Sequence, residues 1–282
     1  MITRRRAIGC AVMAAALVVG ALWMMDSVVR QMLYPAPPVR VPSPPPAPLV
    51  EVALEAGGRA VSAWYLPAPE PTRGGPLAPI VLMLHGNGEN LETMRQAGLF
   101  TDLGRNGAAV LAIDYPGYGR SPGTPSEAAN LAAAEAAWNW MLQHRNGRPP
   151  IIAGWSLGAA VAAQLAAKRR DDAVGVMLLS AWDRLDAVAR LHFPSWMVSV
   201  LLSERYDSAA AAAHIAAPAL LIHGDRDDII PIDLGRHLFA ALPGPKQWVE
   251  VQGAGHNDLL ARPEAWQAIH AFLDARSERP GG

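Results

Sequence analysis

Ile151-Ile-Ala-Gly-Trp-Ser-Leu-Gly-Ala-Ala160 is the stretch on which the reading of this chain turns. A short apolar run breaks into Gly154-Trp-Ser-Leu-Gly158, and an alanine-rich segment follows, which reads as strand, sharp turn and helix. A serine at such a turn takes a strained backbone conformation. Side chains at the flanking glycine positions would collide with the neighbouring strand and helix. The expected result is that the Ser156 hydroxyl stands clear of the sheet at the positive end of the next helix.

A serine hydroxyl is too basic to ionise at neutral pH, so as a nucleophile it needs a base within reach, and the base needs an orienting acid. Two later segments offer both. Ala219-Leu-Leu-Ile-His-Gly-Asp-Arg-Asp-Asp-Ile-Ile-Pro231 is an apolar run ending in Gly224 and a turn with three carboxylates, Asp225, Asp227 and Asp228. Val249-Glu-Val-Gln-Gly-Ala-Gly-His-Asn-Asp258 is again a strand pattern, a glycine turn, then His256. Of the eight histidines, His256 alone follows a strand and a Gly-x-Gly turn late in the chain; His144, His192, His214, His237 and His270 have no such context. Position leaves the acid open between Asp227 and Asp225, with Asp228 reading as a solvent-facing turn residue.

The order Ser156, Asp227, His256, each expected just after a strand, resembles the α/β-hydrolase superfamily of serine hydrolases, in particular its membrane-anchored branch with a minimal cap. His85-Gly-Asn-Gly-Glu-Asn90 and Asp114-Tyr-Pro-Gly-Tyr-Gly-Arg-Ser121 carry the resemblance as well, and it extends from about Leu49 to about Leu273. It implies that Asp227, three residues after Gly224, is the acid, and that His85 and His223 are structural. One oxyanion donor would be the backbone N–H of Leu157, directly after the nucleophile. By resemblance the other is the N–H of Asn87. Tyr115, Tyr118 and Arg120 are expected to brace their loop, and Asn257-Asp258 to cap the next turn. The implied activity is cleavage of an ester or thioester, with a lipophilic acyl compound as the small-molecule substrate. A peptidase acting at free N-termini is the enzymatic alternative, for which Asp183, Asp186, Glu204 and Asp207 are candidate ammonium-holding groups. A catalytically silent protein of the same fold is the other alternative. Fold alone does not fix substrate.

Alternating strand and helix patterns imply an α/β fold, a mostly parallel sheet with helices on both faces. An antiparallel pair, Leu49–Leu54 and Val61–Leu66, leads it. The expected strands are Ile80–Leu84, Ala108–Ile113, Ile151–Ala153, Val174–Leu179, Ala219–Ile222 and Lys246–Val251. The expected helices are Leu91–Leu103, Ser126–Gln143, Leu157–Arg169, Leu234–Leu242 and Pro263–Ala275. Between Ser180 and Pro218 there is room only for a minimal cap, where Trp182, Leu191, Phe193, Trp196, Met197, Val200 and Leu201 could line an acyl pocket or bury a helix.

The domain so outlined covers residues 49–276, and 277–282 read as a disordered tail. Net charge is −1, with no basic stripe, so no nucleic-acid partner is expected. The single cysteine, Cys10, excludes an intramolecular disulfide framework. Neither a Gly-x-Gly-x-x-Gly dinucleotide loop nor a His-Glu-x-x-His helix is present, and no cofactor or metal is expected. Residues 1–30 stand apart. Arg4-Arg-Arg6 precede the uncharged run from Ala7 to Met25, which as a helix would span roughly 28 Å, close to a bilayer core. A signal anchor is expected, with a cleaved signal peptide as the alternative. The arginines would stay cytoplasmic and the domain would face outward. Residues 31–48 are proline-rich, with eight prolines between Pro35 and Pro48, and are expected to act as a stiff spacer off the membrane.

Overall fold

A computed structural model of the chain describes residues 13, 20, 27–69, 76–170 and 172–277. An eight-stranded sheet runs in the order β1-β2-β4-β3-β5-β6-β7-β8. Its members are β1 (Val50–Ala56), β2 (Arg59–Leu66), β3 (Ile80–Leu84), β4 (Ala109–Ile113), β5 (Pro150–Trp155), β6 (Gly175–Leu179), β7 (Ala219–Gly224) and β8 (Lys246–Val251). β1 and β2 form the antiparallel lead, β2 joins β4 antiparallel, and every later pairing is parallel.

Both faces are covered, and period-two alternation along the strands divides the core between them. Ile80, Leu82 and Leu84 of β3 pack with Trp138 and Met141 of α4 (Glu127–His144) and the small residues of α5 (Leu157–Lys168). Val81 and Met83 point the other way, toward Leu91 and Met94 of α2 (Leu91–Gln96), Phe100 of α3 (Leu99–Gly104) and Ile269 of α10 (Pro263–Asp274). The expected single helix Leu91–Leu103 is thus two. Gly98, at φ +80°, turns the chain between α2 and α3 where an α-helix would need negative φ.

The minimal cap consists of α6 (Leu185–His192), α7 (Ser195–Leu201) and α8 (Ser208–Ala212), followed after β7 by α9 (Ile232–Ala241). Residues 27–33 are helical (α1) and lie on the domain. The Arg30 guanidinium reaches Glu204 at 3.1 Å and the Pro125 carbonyl at 3.1 Å. Tyr34 is buried and its hydroxyl meets that of Tyr206 at 3.0 Å, while Asn90 donates to the Val39 carbonyl at 2.7 Å. The expected spacer is therefore a correction. The proline-rich stretch bends repeatedly and is seated on the domain at Val41 and Pro45, and among the described residues Arg30 and Tyr34 already contact the domain before it. It cannot set a stand-off distance. Among the described residues no helix is long and apolar enough to cross a membrane. The expected anchor, Ala7–Met25, lies outside the described residues apart from Met13 and Gly20, and residues 278–282 of the expected tail lie outside them too.

Candidate active site

β3 and β5 lie side by side, while the chain leaves them toward opposite edges of the sheet, β4 on one side and β6 on the other. This is a switch point of an open parallel sheet, where a crevice forms beyond the carboxyl ends of the strands. The His85–Asn90 loop leaves β3 there, and Ser156 follows β5.

Ser156 sits at φ 54° and ψ −118°, a conformation few side chains tolerate. The surrounding structure holds it. The Ser156 N–H donates to the Leu179 carbonyl at 2.9 Å, and α5 starts at the next residue. A Cβ on Gly158 would overlap the Leu84 carbonyl, and one on Gly154 would overlap the Gly158 carbonyl, so both glycines are required for helix and sheet to meet this closely. Although Ser156 occupies the N-cap position of α5, its side chain makes no capping bond. It points to His256 instead.

His256 Nε2 lies 3.0 Å from Ser156 Oγ, and His256 Nδ1 lies 2.7 Å from Asp227 Oδ2. All three residues are buried. The Asp227 carboxylate also accepts the N–H groups of Ile229 at 3.1 Å and Ile230 at 2.7 Å. Burial works to raise its pKa, but hydrogen bonds from His223 and His256, the His256 charge and the Ile230 N–H outweigh it. Asp227 is held well below the usual carboxylate range. Of the two acids left open by position, Asp225 does something else: it accepts the Gly253 N–H at 2.6 Å and steadies the turn that delivers His256. Asp228 is exposed. His223 sends Nε2 to the Ile230 carbonyl at 2.9 Å, fixing the acid's turn.

Opposite Ser156, the Asn87 loop is braced as its tyrosines suggest. The Tyr118 hydroxyl donates to Asn87 Oδ1 at 2.5 Å, and the Tyr115 hydroxyl donates to the His85 carbonyl at 3.2 Å. His85 is fully buried; burial pushes its pKa down to about 4, and it donates through Nδ1 to the Gly86 carbonyl at 2.7 Å. Leu157, first residue of α5, presents an N–H with no intrahelical acceptor. Asn87 and Leu157 both line the cleft that contains Ser156.

That cleft measures about 390 Å³. Trp182 and Phe193 line it, as two of the expected acyl-pocket residues. Met197 and Leu201 instead line a smaller neighbouring hollow, and Leu191, Trp196 and Val200 are exposed. Sequence reasoning missed one whole wall, Met32 to Pro35, together with His192 and Asn257. Asn257, expected to cap a turn, faces the cleft, while Asp258 accepts the Gly255 N–H at 2.6 Å. Among the described residues no carboxylate lines the cleft. No group of acidic, His or Cys side chains among them could hold a metal ion.

Comparison with known proteins agrees with this architecture. Residues 79–204 match the family described as alpha/beta hydrolase fold. The uncharacterized protein Rv2307c of Mycobacterium tuberculosis is 37% identical over 283 residues, covering 96% of each chain. Human alpha/beta hydrolase domain-containing protein 17B is 33% identical over 196 residues, which span 68% of this chain and 65% of that protein. Among solved structures, the Pyrococcus furiosus esterase Pf2001 superposes with a TM-score of 0.67 at 19% identity, over 86% of this chain and 99% of that one. The chain belongs to the α/β-hydrolase superfamily.

Proposed function

We propose that the protein is a serine hydrolase that cleaves an ester or thioester of a lipophilic acyl compound through an acyl-enzyme on Ser156. The observation that carries this reading is the unbroken run Asp227, His256, Ser156, with separations of 2.7 and 3.0 Å, opening into a cleft lined by no carboxylate among the described residues. His256 Nε2 accepts the Ser156 proton as Oγ attacks the substrate carbonyl. Asp227 fixes the tautomer with the proton on Nδ1 and stabilises the imidazolium that forms. The carbonyl oxygen, now an oxyanion, faces the N–H groups of Leu157 and Asn87. Collapse expels the alcohol or thiol, which leaves with the proton from His256. Water then attacks the acyl carbonyl and gives a proton to His256, which passes it to Ser156 Oγ as the acyl–Oγ bond breaks and the acid leaves.

The apolar walls, Leu33, Trp182, Val188 and Phe193 among them, suit an acyl chain. The carboxylates that a peptidase would need for an ammonium group are engaged elsewhere. Asp186 binds Arg184 and Arg190, Glu204 binds Arg30, Asp207 caps α8, and Asp183 is paired with His237. We further assign the chain to a membrane through Ala7–Met25, with Arg4–Arg6 cytoplasmic and the domain on the extracytoplasmic side, on the charge and length of that run.

Hydrolysis of p-nitrophenyl esters from acetate to palmitate by the detergent-solubilised full chain tests the reading. Activity that rises beyond the shortest chains and is lost in Ser156→Ala supports it. Inertness across the series, or an unaffected Ser156→Ala, overturns it.

A further inference from the structure

The large hydrophobic side chains that face solvent are not scattered. Val28 and Met32 on α1, and Leu191, Phe193, Trp196 and Val200 across α6 and α7, are all exposed, and α1 and the α6–α7 pair adjoin. Trp196 is 68% exposed and Val200 74%, unusual for such residues on a surface that faces only water. Ile229, also exposed, lines the cleft. Among the described residues, the remaining exposed large hydrophobics are Met13 and Val50. Beneath the patch, Val29, Met32, Leu33, Phe193, Met197 and Leu201 line an apolar hollow of about 80 Å³. Met32, Leu33 and Phe193 line both this hollow and the cleft that holds Ser156. A greasy path therefore joins the surface patch to the nucleophile.

What covers the patch is indicated by the chain itself. Only Asp26 separates the apolar run Ala7–Met25 from α1. At 1.5 Å per helical residue, Met32 stands roughly 10 Å along the chain from Met25. Arg30 and Tyr34, five and nine residues past Met25 in sequence, are already packed on the domain. A bilayer that receives Ala7–Met25 is brought directly against α1, α6 and α7, with tryptophan at the depth where its ring is favoured. We propose that the rim formed by α1, α6 and α7 docks on the lipid bilayer surface, so that an acyl chain passes from the membrane through the apolar hollow to Ser156 without crossing water. This rests on the serine-hydrolase reading for the fate of the acyl chain, and on the proposed membrane assignment of Ala7–Met25 for the docking.

The test uses the full chain reconstituted in phosphatidylcholine vesicles containing doxyl-labelled lipid, with Cys10→Ser and a fluorophore on Trp196→Cys or, as a control, on Arg145→Cys. Arg145 follows α4 and precedes β5, at the amino end of the strands and away from the mouth. Docking requires quenching at position 196 several-fold stronger than at 145. Equal quenching at the two positions overturns it, as does a disulfide-linked pair of chains formed by the unlabelled Trp196→Cys protein in the same vesicles, which would mean that a second copy covers the patch. A second measurement compares Trp196→Ser/Val200→Asp with its parent, since neither residue lines the cleft or the hollow. Hydrolysis of a long-chain ester embedded in vesicles should fall about tenfold while soluble p-nitrophenyl butyrate is cleaved as before. Equal loss on both substrates overturns the docking role. If no ester is cleaved by the parent, the serine-hydrolase reading fails and the quenching comparison still decides the docking.

Discussion

The Asn87 side-chain amide donates to the Leu33 carbonyl at 2.5 Å, joining the loop after β3 to the end of α1 across 54 residues of sequence. With the Tyr118 hydroxyl on its Oδ1, Asn87 is held at both ends of its amide. Its backbone N–H is the proposed second oxyanion donor, so the N-terminal segment helps to fix the loop that carries that proposed donor. Asn87→Ala keeps that N–H but frees the loop. Since small misplacements weaken preorganised donors, kcat should fall about tenfold or more with KM little changed. Steady-state kinetics on a soluble ester would check this; a rise in KM alone would instead mean that Asn87 only holds substrate.

Strain at Ser156 carries a stability cost that a glycine would remove. Positive φ in a residue with a Cβ costs on the order of 1–3 kcal/mol, part of which glycine returns through the freedom of the unfolded chain. Ser156→Gly should be about 1 kcal/mol more stable than Ser156→Ala, both without activity. Urea unfolding of the two variants measures the difference, and an alanine variant as stable as the glycine one would show that the turn is not strained.

Much of this was legible in the chain because the signals are local. Gly154 and Gly158 flank the serine at the spacing the turn needs. The alternation of Ile80 to Leu84 and the Gly253-Ala-Gly255 turn before His256 likewise depend on neighbours in sequence. The choice of Asp227 over Asp225 needed the resemblance, since both follow Gly224 and only their partners differ. Invisible in the chain were the wall from Met32 to Pro35 and the grip of Leu33 on Asn87. Those contacts run through a main-chain carbonyl, which every residue has, and join segments far apart. Proline content suggested a spacer at 35–48, yet a proline-rich segment can lie along a domain as readily as stand away from it. The break at Gly98 was missed because the apolar pattern continues across it.

The proposed acid, Asp227, also bears on acid stability. Its folded-state pKa is depressed, so the stability it contributes is present above the unfolded carboxylate value of about 3.9 and is lost as pH falls toward the lower folded value. Asp227→Asn should lose about 10⁴-fold in kcat and unfold less steeply between about pH 4 and 2 than the parent. A full pH series of thermal melts beside kcat would check both; unchanged kcat would move the acid role elsewhere.

Glu89 shifts the other way. Burial raises its pKa to about 7, opposed by the hydrogen bond from the Gly86 N–H at 2.8 Å. A raised carboxylate pKa means the folded protein binds the proton more tightly than the unfolded chain. Its ionisation therefore erodes stability as pH rises from about 4.5 to about 7. Glu89→Gln keeps an acceptor for Gly86 and removes the charge. Its melting temperature should gain on the parent between pH 5 and pH 8, and a gain independent of pH would contradict this assignment.

The proposed reaction depends on Ser156 acting as a nucleophile activated by His256. The most direct measurement is labelling of the full chain with a fluorophosphonate, followed by mass analysis of the peptide that contains Ser156. One adduct is expected, on Ser156, lost in Ser156→Ala and slowed by several orders of magnitude in His256→Ala. An adduct on another residue, or labelling as fast without His256 as with it, would contradict it.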